Sequence, residues 1–340
     1  MPLRLIQITV PPERSADVDG ILENAVPVGR WKLTAPDEGE MIQFVLPVER
    51  VEALMDRFSD EFDGDESFRV TLLAVEAALP EPDENDEEDE AEDDASSGPE
   101  RVSRVELMAD AMESARLTPV FLAMVAASTV VAVVGVLRDD VAVIIGAMVI
   151  APLLGPNVSL ALAATLADAD LARRAIVTNL AGVACALLVA VAAGALLTVD
   201  PTVEAIATRT RPSASDMALA LAAGTAGTLA FSSGLPQAVI GVMVAVALLP
   251  PLVIFGLLMG AGLPGYAAGA FILVALNVVC LNLAGVGTFL ARGVRPAGWS
   301  EAEKARKSVR WAVLTWTVLL LVLAVILWVA RRQGLGPFSS

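Results

Sequence analysis

Histidine is absent from this 340-residue chain, and cysteine and aromatic residues are scarce. The missing imidazoles exclude histidine metal ligands, histidine general bases and histidine proton relays. Only two cysteines occur, Cys185 and Cys280, and both lie in apolar stretches, so neither a disulfide framework nor a cysteine zinc site is expected. The sequence therefore predicts no bound metal and no cofactor.

Charged side chains are almost missing from long stretches between residues 118 and 330, although they make up 19% of the chain. Hydrophobic residues account for 56%, a share that is typical of an integral membrane protein rather than a soluble enzyme. Apolar runs of about 20 residues are long enough to cross a bilayer as helices. The predicted spans are 118–137, 141–167, 171–198, 214–232, 235–259, 265–291 and 311–330.

Arginine and lysine are unevenly distributed between the two ends of these spans. If the N-terminus lies in the cytoplasm, eleven of the basic residues beside the spans face the cytoplasm and five face outward. Basic residues in short loops favour the cytoplasmic side of a membrane. We therefore expect a multi-pass protein of the cell membrane with a cytoplasmic N-terminus.

Residues 1–80 lack long apolar runs and instead alternate between apolar and polar positions. The period of two predicts four strands, and helical spacing predicts two helices between them. The strands are placed at 3–10, 28–34, 41–48 and 67–77, and the helices at 12–26 and 51–62. The order βαββαβ is typical of a ferredoxin-like α/β domain, which we expect to regulate the protein or to join its subunits.

Basic residues are absent from segment 81–100, which contains twelve Asp and Glu residues. Such a segment cannot bury apolar area and repels itself, so it predicts a disordered linker. The whole chain has a net charge of −17 and only three lysines, a balance typical of proteins from salt-accumulating halophiles and unfavourable for binding nucleic acid. Residues 101–117 are amphipathic and predict a juxtamembrane helix.

Two apolar segments resemble each other at an offset of 95 residues. Gly146–Pro156 reads GAMVIAPLLGP and Gly241–Pro251 reads GVMVAVALLPP, with six of eleven positions identical. The same offset pairs segment 118–198 with segment 214–291, so that each copy contains three spans. An odd number of spans predicts that the second copy is inverted. The sequence thus predicts a mainly α helical bundle with an inverted 3+3 repeat and one extra helix at 311–330.

Prolines interrupt the second and the fifth predicted spans at matching places, Pro152 and Pro156 in one and Pro250 and Pro251 in the other. A proline removes a helix N–H and clashes with the preceding turn. Freed backbone groups are tolerated within a membrane only where protein or water receives them. Two broken helices that face each other therefore favour a solute or ion site, although a pair of packed kinks would show the same pattern.

Polar side chains near the breaks are amides and hydroxyls, and no charged residue lies within the apolar interior of a span. The missing carboxylates argue against a proton-coupled carrier, and the neutral lining suits a dehydrated ion or a small polar solute. Asn277 and Asn282 leave one helix about 140° apart, so they do not both point into one narrow pore. The residues predicted to line the pathway are Gly146, Pro152, Gly155, Pro156, Asn157, Ser159, Gly241, Leu249, Pro250, Pro251, Asn277 and Asn282.

A family resemblance rests on three stretches: IIGAMVIAPLLGPNVSLALA at 144–163, GTAGTLAFSSGLPQAVIGVMVAVALLPPL at 224–252 and LNVVCLNLAG at 276–285. In combination they resemble the archaeal and bacterial integral-membrane family known as domain of unknown function 389. The resemblance covers roughly residues 118–291, and residues 1–80 resemble the cytoplasmic extension of some members. It implies a membrane topology and leaves the activity open.

These patterns favour a membrane channel or transporter whose pathway lies between the broken second and fifth spans. The alternative is a membrane-anchored ligand sensor that uses the N-terminal domain. An intramembrane enzyme is not expected, because no histidine, buried carboxylate or Ser–Lys pair lies within the spans. The expected partners are the lipid bilayer, a small ion or polar solute and further copies of the chain. Small residues that permit close helix packing favour the homo-oligomer: Gly224, Gly227, Gly285 and Gly287.

Overall fold

The structure is a computed structural model, in which the chain divides into two units, Met1–Glu106 and Leu107–Ser340. The residues that it describes are 3–22, 27, 29–34, 40–62, 65, 67–75, 103–234, 248–294, 309–310 and 313–325. The predicted linker 81–100 lies outside them, as do Gly241 and the first half of the predicted fifth span.

Four antiparallel strands and two helices build the first unit. They are β1 (Leu3–Val10), α1 (Ser15–Leu22), β2 (Gly29–Thr34), β3 (Glu40–Pro47), α2 (Val48–Glu61) and β4 (Arg69–Val75). The strand order is β2-β3-β1-β4, with β1 at the centre between β3 and β4. The small N-terminal antiparallel sheet expected from the alternating pattern is therefore confirmed.

Period-two alternation gives this sheet one apolar face, on which the helices pack. Ile6, Ile8 and Phe44 point from the central strands into a core that α1 and α2 close with Val18 and Phe58. All five side chains are buried.

The opposite face of the sheet retains exposed apolar side chains. Trp31 is 51% exposed, Leu33 50% and Leu73 45%. The strand register brings their neighbours Gln7 and Gln43 together, and Gln43 Nε2 donates to Gln7 Oε1 over 3.1 Å. This face therefore has no charged residue at its centre.

Helices dominate the second unit. They are α3 (Arg104–Ser114), which begins at the end of the first unit, α4 (Pro119–Leu137), α5 (Val141–Ile150), α6 (Leu154–Leu166), α7 (Ala169–Leu196), α8 (Glu204–Ala207), α9 (Ala214–Ser232), α10 (Leu249–Gly260), α11 (Pro264–Ala291) and α12 (Val313–Val325). Four of them, α4, α7, α9 and α11, are long and apolar enough to cross a membrane. The number of spans among the described residues is five if the bent pair α5 and α6 is one span. The coarse prediction of a mainly helical chain is confirmed, and its apolar helices are compatible with a multi-pass membrane protein.

Acidic residues at the turns cap the helices that follow them. Asp140 Oδ1 accepts the N–H groups of Ala142 and Val143 at the start of α5, and Asp168 Oδ1 accepts the N–H of Leu171 at the start of α7. These bonds satisfy donors that have no partner inside the helix. The turns between the spans are thus defined by local hydrogen bonds.

Helix α3 was expected at the membrane interface and packs partly on the bundle. Its Leu107 and Ala111 are buried, whereas Val105 and Met112 are each 40% exposed. Ser159 of α6 donates its hydroxyl to the Ala111 carbonyl over 2.9 Å. Side chains of the bundle therefore satisfy backbone carbonyls near the end of α3.

Helix boundaries recur at the offset of 95 residues. Helices α4 and α9 both have 19 residues and start 95 positions apart, as do α7 and α11, which both have 28. Helices α6 and α10 begin at Leu154 and Leu249, again 95 apart. Four of the five described residues with positive φ also match, since Asp139 pairs with Gly234 and Ala167 with Gly262. The two halves therefore share their helix limits and two of their turns.

Candidate functional site

A break after α5 marks the middle of the second predicted span. Ala151–Leu153 separate α5 from α6, and the two helix axes differ by 53°. Pro152 lies in the break and Pro156 in the first turn of α6, where a missing N–H is tolerated. Because Pro152 keeps the chain from continuing as one rod, α6 starts as a separate helix with its polar residues at its beginning.

Asn157 lies one turn inside α6 and bonds back to this break. Its Nδ2 donates to the Leu153 carbonyl over 2.8 Å and to Oδ1 of Asn179 in α7, also over 2.8 Å. From α11, Asn282 Nδ2 donates to Oδ1 of Asn157 over 3.5 Å. We call Asn157, Asn179 and Asn282 the amide cluster. It joins three helices by a chain of side-chain amides that runs in one direction.

Two ends of this chain keep polar atoms without a partner. Among the described residues, Asn282 Oδ1 and Asn179 Nδ2 are buried and accept or donate no hydrogen bond. Asn282 is fully buried and Asn157 is 5% exposed, whereas Asn179 is half-buried with its Nδ2 shielded from solvent. Buried polar atoms are almost always paired, and an unpaired one calls for a physical explanation.

Thr228 of α9 adds a third such atom beside the cluster. Its Oγ1 has no partner within the described part of the chain, and the residue is fully buried. A Cβ on Gly285 would lie 3.3 Å from this Oγ1 and 2.8 Å from Cβ of Ala161 in α6. Since Gly285 follows Asn282 by three positions on α11, Thr228 packs on α11 about one helical turn from the backbone of Asn282.

The lining of this region is electrically neutral. Helices α5, α6, α10 and α11 contain no charged residue, and α9 has one only in its first turn, Asp216. In α7 the charges also lie near the start, the nearest to Asn179 being Arg174, which is exposed. The amide cluster therefore offers dipoles and no formal charge to a ligand.

An equivalent helix contact exists on the other side of the bundle. Helix α6 packs on α11, and in the same way α10 packs on α7. A Cβ on Gly256 of α10 would lie 2.5 Å from Cβ of Ala190 in α7. Shifting Gly256 and Ala190 by 95 positions gives Ala161 and Gly285, the pair in contact between α6 and α11. The two aligned positions are therefore in contact in both helix pairs. The glycine lies on α11 in one pair and on α10 in the other.

Polarity distinguishes the two contacts. The positions that correspond to Asn157 and Asn282 at the offset of 95 residues are Leu252 and Leu187. Amides therefore replace leucines in one of two equivalent contacts. The candidate site occurs once in the described part of the bundle.

Several residues predicted for the pathway have other surroundings in the structure. A Cβ on Gly155 would lie 3.0 Å from Cβ of Ser114, so Gly155 faces α3. Ser159 also faces α3, through its bond to the Ala111 carbonyl. Gly146 is exposed on α5, and a Cβ there would meet nothing within 4 Å. The structure does not bring these three residues into the amide cluster, and their place in a pathway stays a prediction.

The remaining predicted residues lie near the helix starts or within α11. Leu249, Pro250 and Pro251 are buried in the first turn of α10, where prolines are tolerated. Asn277 is 4% exposed on α11. Gly241 lies outside the described residues.

Asn179 and Thr228 are the two members of the site that the sequence did not single out. Each lies in an apolar span that carries no charge around it. The signal for Asn179 was a lone amide within the predicted span 171–198. Thr228 had no comparable signal, since hydroxyls in membrane helices commonly bond within their own helix.

Comparison with known proteins places the site within a recognised sequence family. A family model described as "Domain of unknown function (DUF389)" matches residues 148–283, a segment that contains the amide cluster and Thr228. An uncharacterized protein of Methanocaldococcus jannaschii is 35% identical over 286 residues, which cover 84% of this chain and 87% of that protein. No solved structure shows a significant match to the chain.

Proposed function

This chain belongs to the DUF389 family, and from that premise we propose that it is a membrane channel or transporter for a small ion or polar solute. The observation that carries the proposal is the amide cluster beside a helix break in an otherwise apolar bundle, in which Asn157 and Asn282 are buried and Asn179 is half-buried. Its unpartnered atoms, together with the Thr228 hydroxyl, are suited to a polar ligand that passes between α6, α9 and α11.

A purely structural role for the amides explains their hydrogen bonds but not their unpartnered atoms. Asparagines between membrane helices stabilise packing by about 0.6–2 kcal/mol each when they are hydrogen-bonded. That role accounts for the bonds of Asn157, which are complete on both sides. It does not account for Asn282 Oδ1 and Asn179 Nδ2, because leaving a buried polar atom unpaired costs about 1–3 kcal/mol.

In this proposal the two halves of the bundle form an inverted repeat. The matching helix limits at an offset of 95 residues support it, and so does the exchange of partners between the α6–α11 and α7–α10 contacts. Such reciprocal contacts are the signature of a two-fold relation. At 1.5 Å per residue and a bend of 53°, α5 and α6 together rise about 29 Å, enough to cross the hydrocarbon core. Three crossings in the first half then place the second half upside down.

The N-terminal unit is a ferredoxin-like domain in the cytoplasm that gates the membrane unit or joins its subunits in a homo-oligomer. Its sheet order β2-β3-β1-β4, with one helix after β1 and one after β3, supports the fold assignment. The exposed apolar face with Trp31, Leu33 and Leu73 is suited to contact with another protein surface.

Reconstitution of the full-length protein in liposomes tests the proposal. Flux of K⁺, Na⁺, Cl⁻, water, urea and glycerol is measured for the wild type and for Asn157→Leu. We expect at least one of them to move faster than in empty liposomes and this flux to fall in the variant. Thr165→Val is the matched control, since its hydroxyl bonds the Ala161 carbonyl within α6, outside the amide cluster.

Absence of any flux would contradict transport. If the full-length protein also bound a soluble ligand through its N-terminal unit, the membrane-anchored sensor would take the place of the channel or transporter.

A further inference from the structure

We infer that the amide cluster and Thr228 bind an uncharged solute that both donates and accepts hydrogen bonds, in preference to any ion. The inference rests on the proposed function, because it names the class of molecule that the same site admits. Water, urea and glycerol belong to this class.

Hydrogen bonds determine the direction of every amide in the chain. Asn157 Nδ2 donates to the Leu153 carbonyl and to Asn179 Oδ1, so its oxygen faces Asn282. Asn282 Nδ2 donates to the Val278 carbonyl over 2.9 Å as well. The chain of amides therefore ends in an acceptor at one side, Asn282 Oδ1, and in a donor at the other, Asn179 Nδ2.

A cation does not suit these atoms. Ca²⁺ and Mg²⁺ take six or more oxygen ligands, and a dehydrated K⁺ is surrounded by rings of carbonyl oxygens. Only two oxygens are unpartnered among the described atoms here, Asn282 Oδ1 and Thr228 Oγ1. The amide oxygens of Asn157 and Asn179 already accept N–H groups, and no carboxylate lies in α6 or α11 to balance a positive charge.

An anion suits them no better. The cluster has one unpartnered amide NH2 group, on Asn179. Helices α6, α10 and α11 contain no lysine or arginine, and the arginines of α7, Arg173 and Arg174, are exposed. Removing a charge from water without a paired charge or several hydrogen bonds is far more costly than removing a neutral polar molecule. A solute that donates to Asn282 Oδ1 and exchanges a hydrogen bond with the Thr228 hydroxyl avoids that cost.

The other half of the bundle provides a design for removing the site. Leu252 and Leu187 occupy the positions equivalent to Asn157 and Asn282, so leucines are the native choice in the related contact. The double variant Asn157→Leu/Asn282→Leu is therefore expected to pack as that contact does. Thr228→Val removes the hydroxyl with little change of shape, and Thr165→Val makes the same substitution elsewhere in the bundle.

The full-length protein in liposomes of phosphatidylcholine and phosphatidylglycerol is the test system. Swelling and shrinkage after a jump in urea or glycerol measure uncharged solutes and water, and flux under a K⁺, Na⁺ or Cl⁻ gradient measures ions. We expect permeation of at least one uncharged solute and none of the ions. The permeation rate of that solute should be at least tenfold lower in the double leucine variant and less strongly reduced in Thr228→Val. It should be unchanged in Thr165→Val.

Three results would overturn the inference. An ion flux that disappears in the double leucine variant leaves the proposed transport function standing and replaces the uncharged solute by an ion. Uncharged flux that persists in the double variant and in Thr228→Val places the pathway elsewhere. If neither solutes nor ions move, the proposed function and the inference fall together.

Discussion

Replacing Gly285 by alanine will force α6 and α11 apart, and replacing Ala161 by glycine at the same time will relieve the clash. A Cβ on Gly285 would lie 2.8 Å from Cβ of Ala161, which is closer than two methyl groups can approach. The equivalent contact between α7 and α10 also has a single methyl group, on Ala190, opposite Gly256. The proposed two-fold relation therefore predicts that one methyl per contact is the stable arrangement, whichever helix carries it.

Two opposing contributions determine the change in unfolding free energy. Alanine is favoured over glycine in a helix by about 1 kcal/mol, so Gly285→Ala gains and Ala161→Gly loses that amount. Overpacking adds a cost of about 1–3 kcal/mol to Gly285→Ala alone. In the double variant the helix terms cancel and the clash with Ala161 is gone, while the 3.3 Å contact with Thr228 Oγ1 is common to both alanine variants. The coupling free energy between the two substitutions should therefore be about 1–3 kcal/mol in favour of the pair.

Reversible unfolding of the full-length protein in mixed micelles measures the four free energies of this cycle. The same cycle at Ala190 and Gly256 is the matched comparison, and a coupling of similar size is expected there. A coupling near zero, with the double variant as unstable as Gly285→Ala, would refute the close approach of α6 and α11.

Three further perturbations have defined outcomes. Ser159→Ala removes the bond to the Ala111 carbonyl, so we expect a loss of about 0.6–2 kcal/mol in unfolding and faster hydrogen exchange in α3; unchanged exchange would contradict this packing. Asp140→Ala removes the cap of α5 and should cost about 1 kcal/mol in the same assay. The hydrogen bond from the Ser67 hydroxyl lowers the pKa of Asp65 below its ordinary value of 3.8, so its stabilising effect is complete above pH 3.8 and is lost as the pH falls through the lower, folded value. The measurement is unfolding of the full-length protein at several pH values, followed by Trp31 fluorescence with the other tryptophans replaced. Ser67→Ala should be less stable than the wild type at pH 6, and this loss of stability should shrink below pH 3.8. A loss of stability that does not depend on pH would contradict the role of this hydrogen bond.

Strands and helices of the first unit could be predicted from the sequence because period-two alternation survives in a sheet with one buried face. One difference is at α2, which begins at Val48 and not at 51. Pro47 ends β3 at that point, and Val48, Val51 and Phe58 already share the buried side of the helix. Boundaries that depend on such tertiary burial are not visible in local spacing.

The candidate site was only half predictable. Asn157 and Asn282 are unusual in apolar spans, so composition alone marks them, but their contact joins residues 125 positions apart and depends on the packing of α6 against α11. The sequence does not predict which face of α6 packs on α11 and which on α3, because this helix has no polar stripe that would orient it. For that reason Gly155 and Ser159, which face α3, were predicted together with Asn157 as lining residues.

Inversion of the two halves is the central claim, and labelling of two equivalent turns tests it most directly. Arg138 and Ser233 follow α4 and α9 at the same aligned position and are both exposed. In a chain with Cys185 and Cys280 replaced by alanine, Arg138→Cys and Ser233→Cys are treated with a membrane-impermeant maleimide on intact cells and on opened membranes. The account predicts labelling of position 138 from outside and of position 233 from the cytoplasm only. Labelling of both positions from the same side would contradict it.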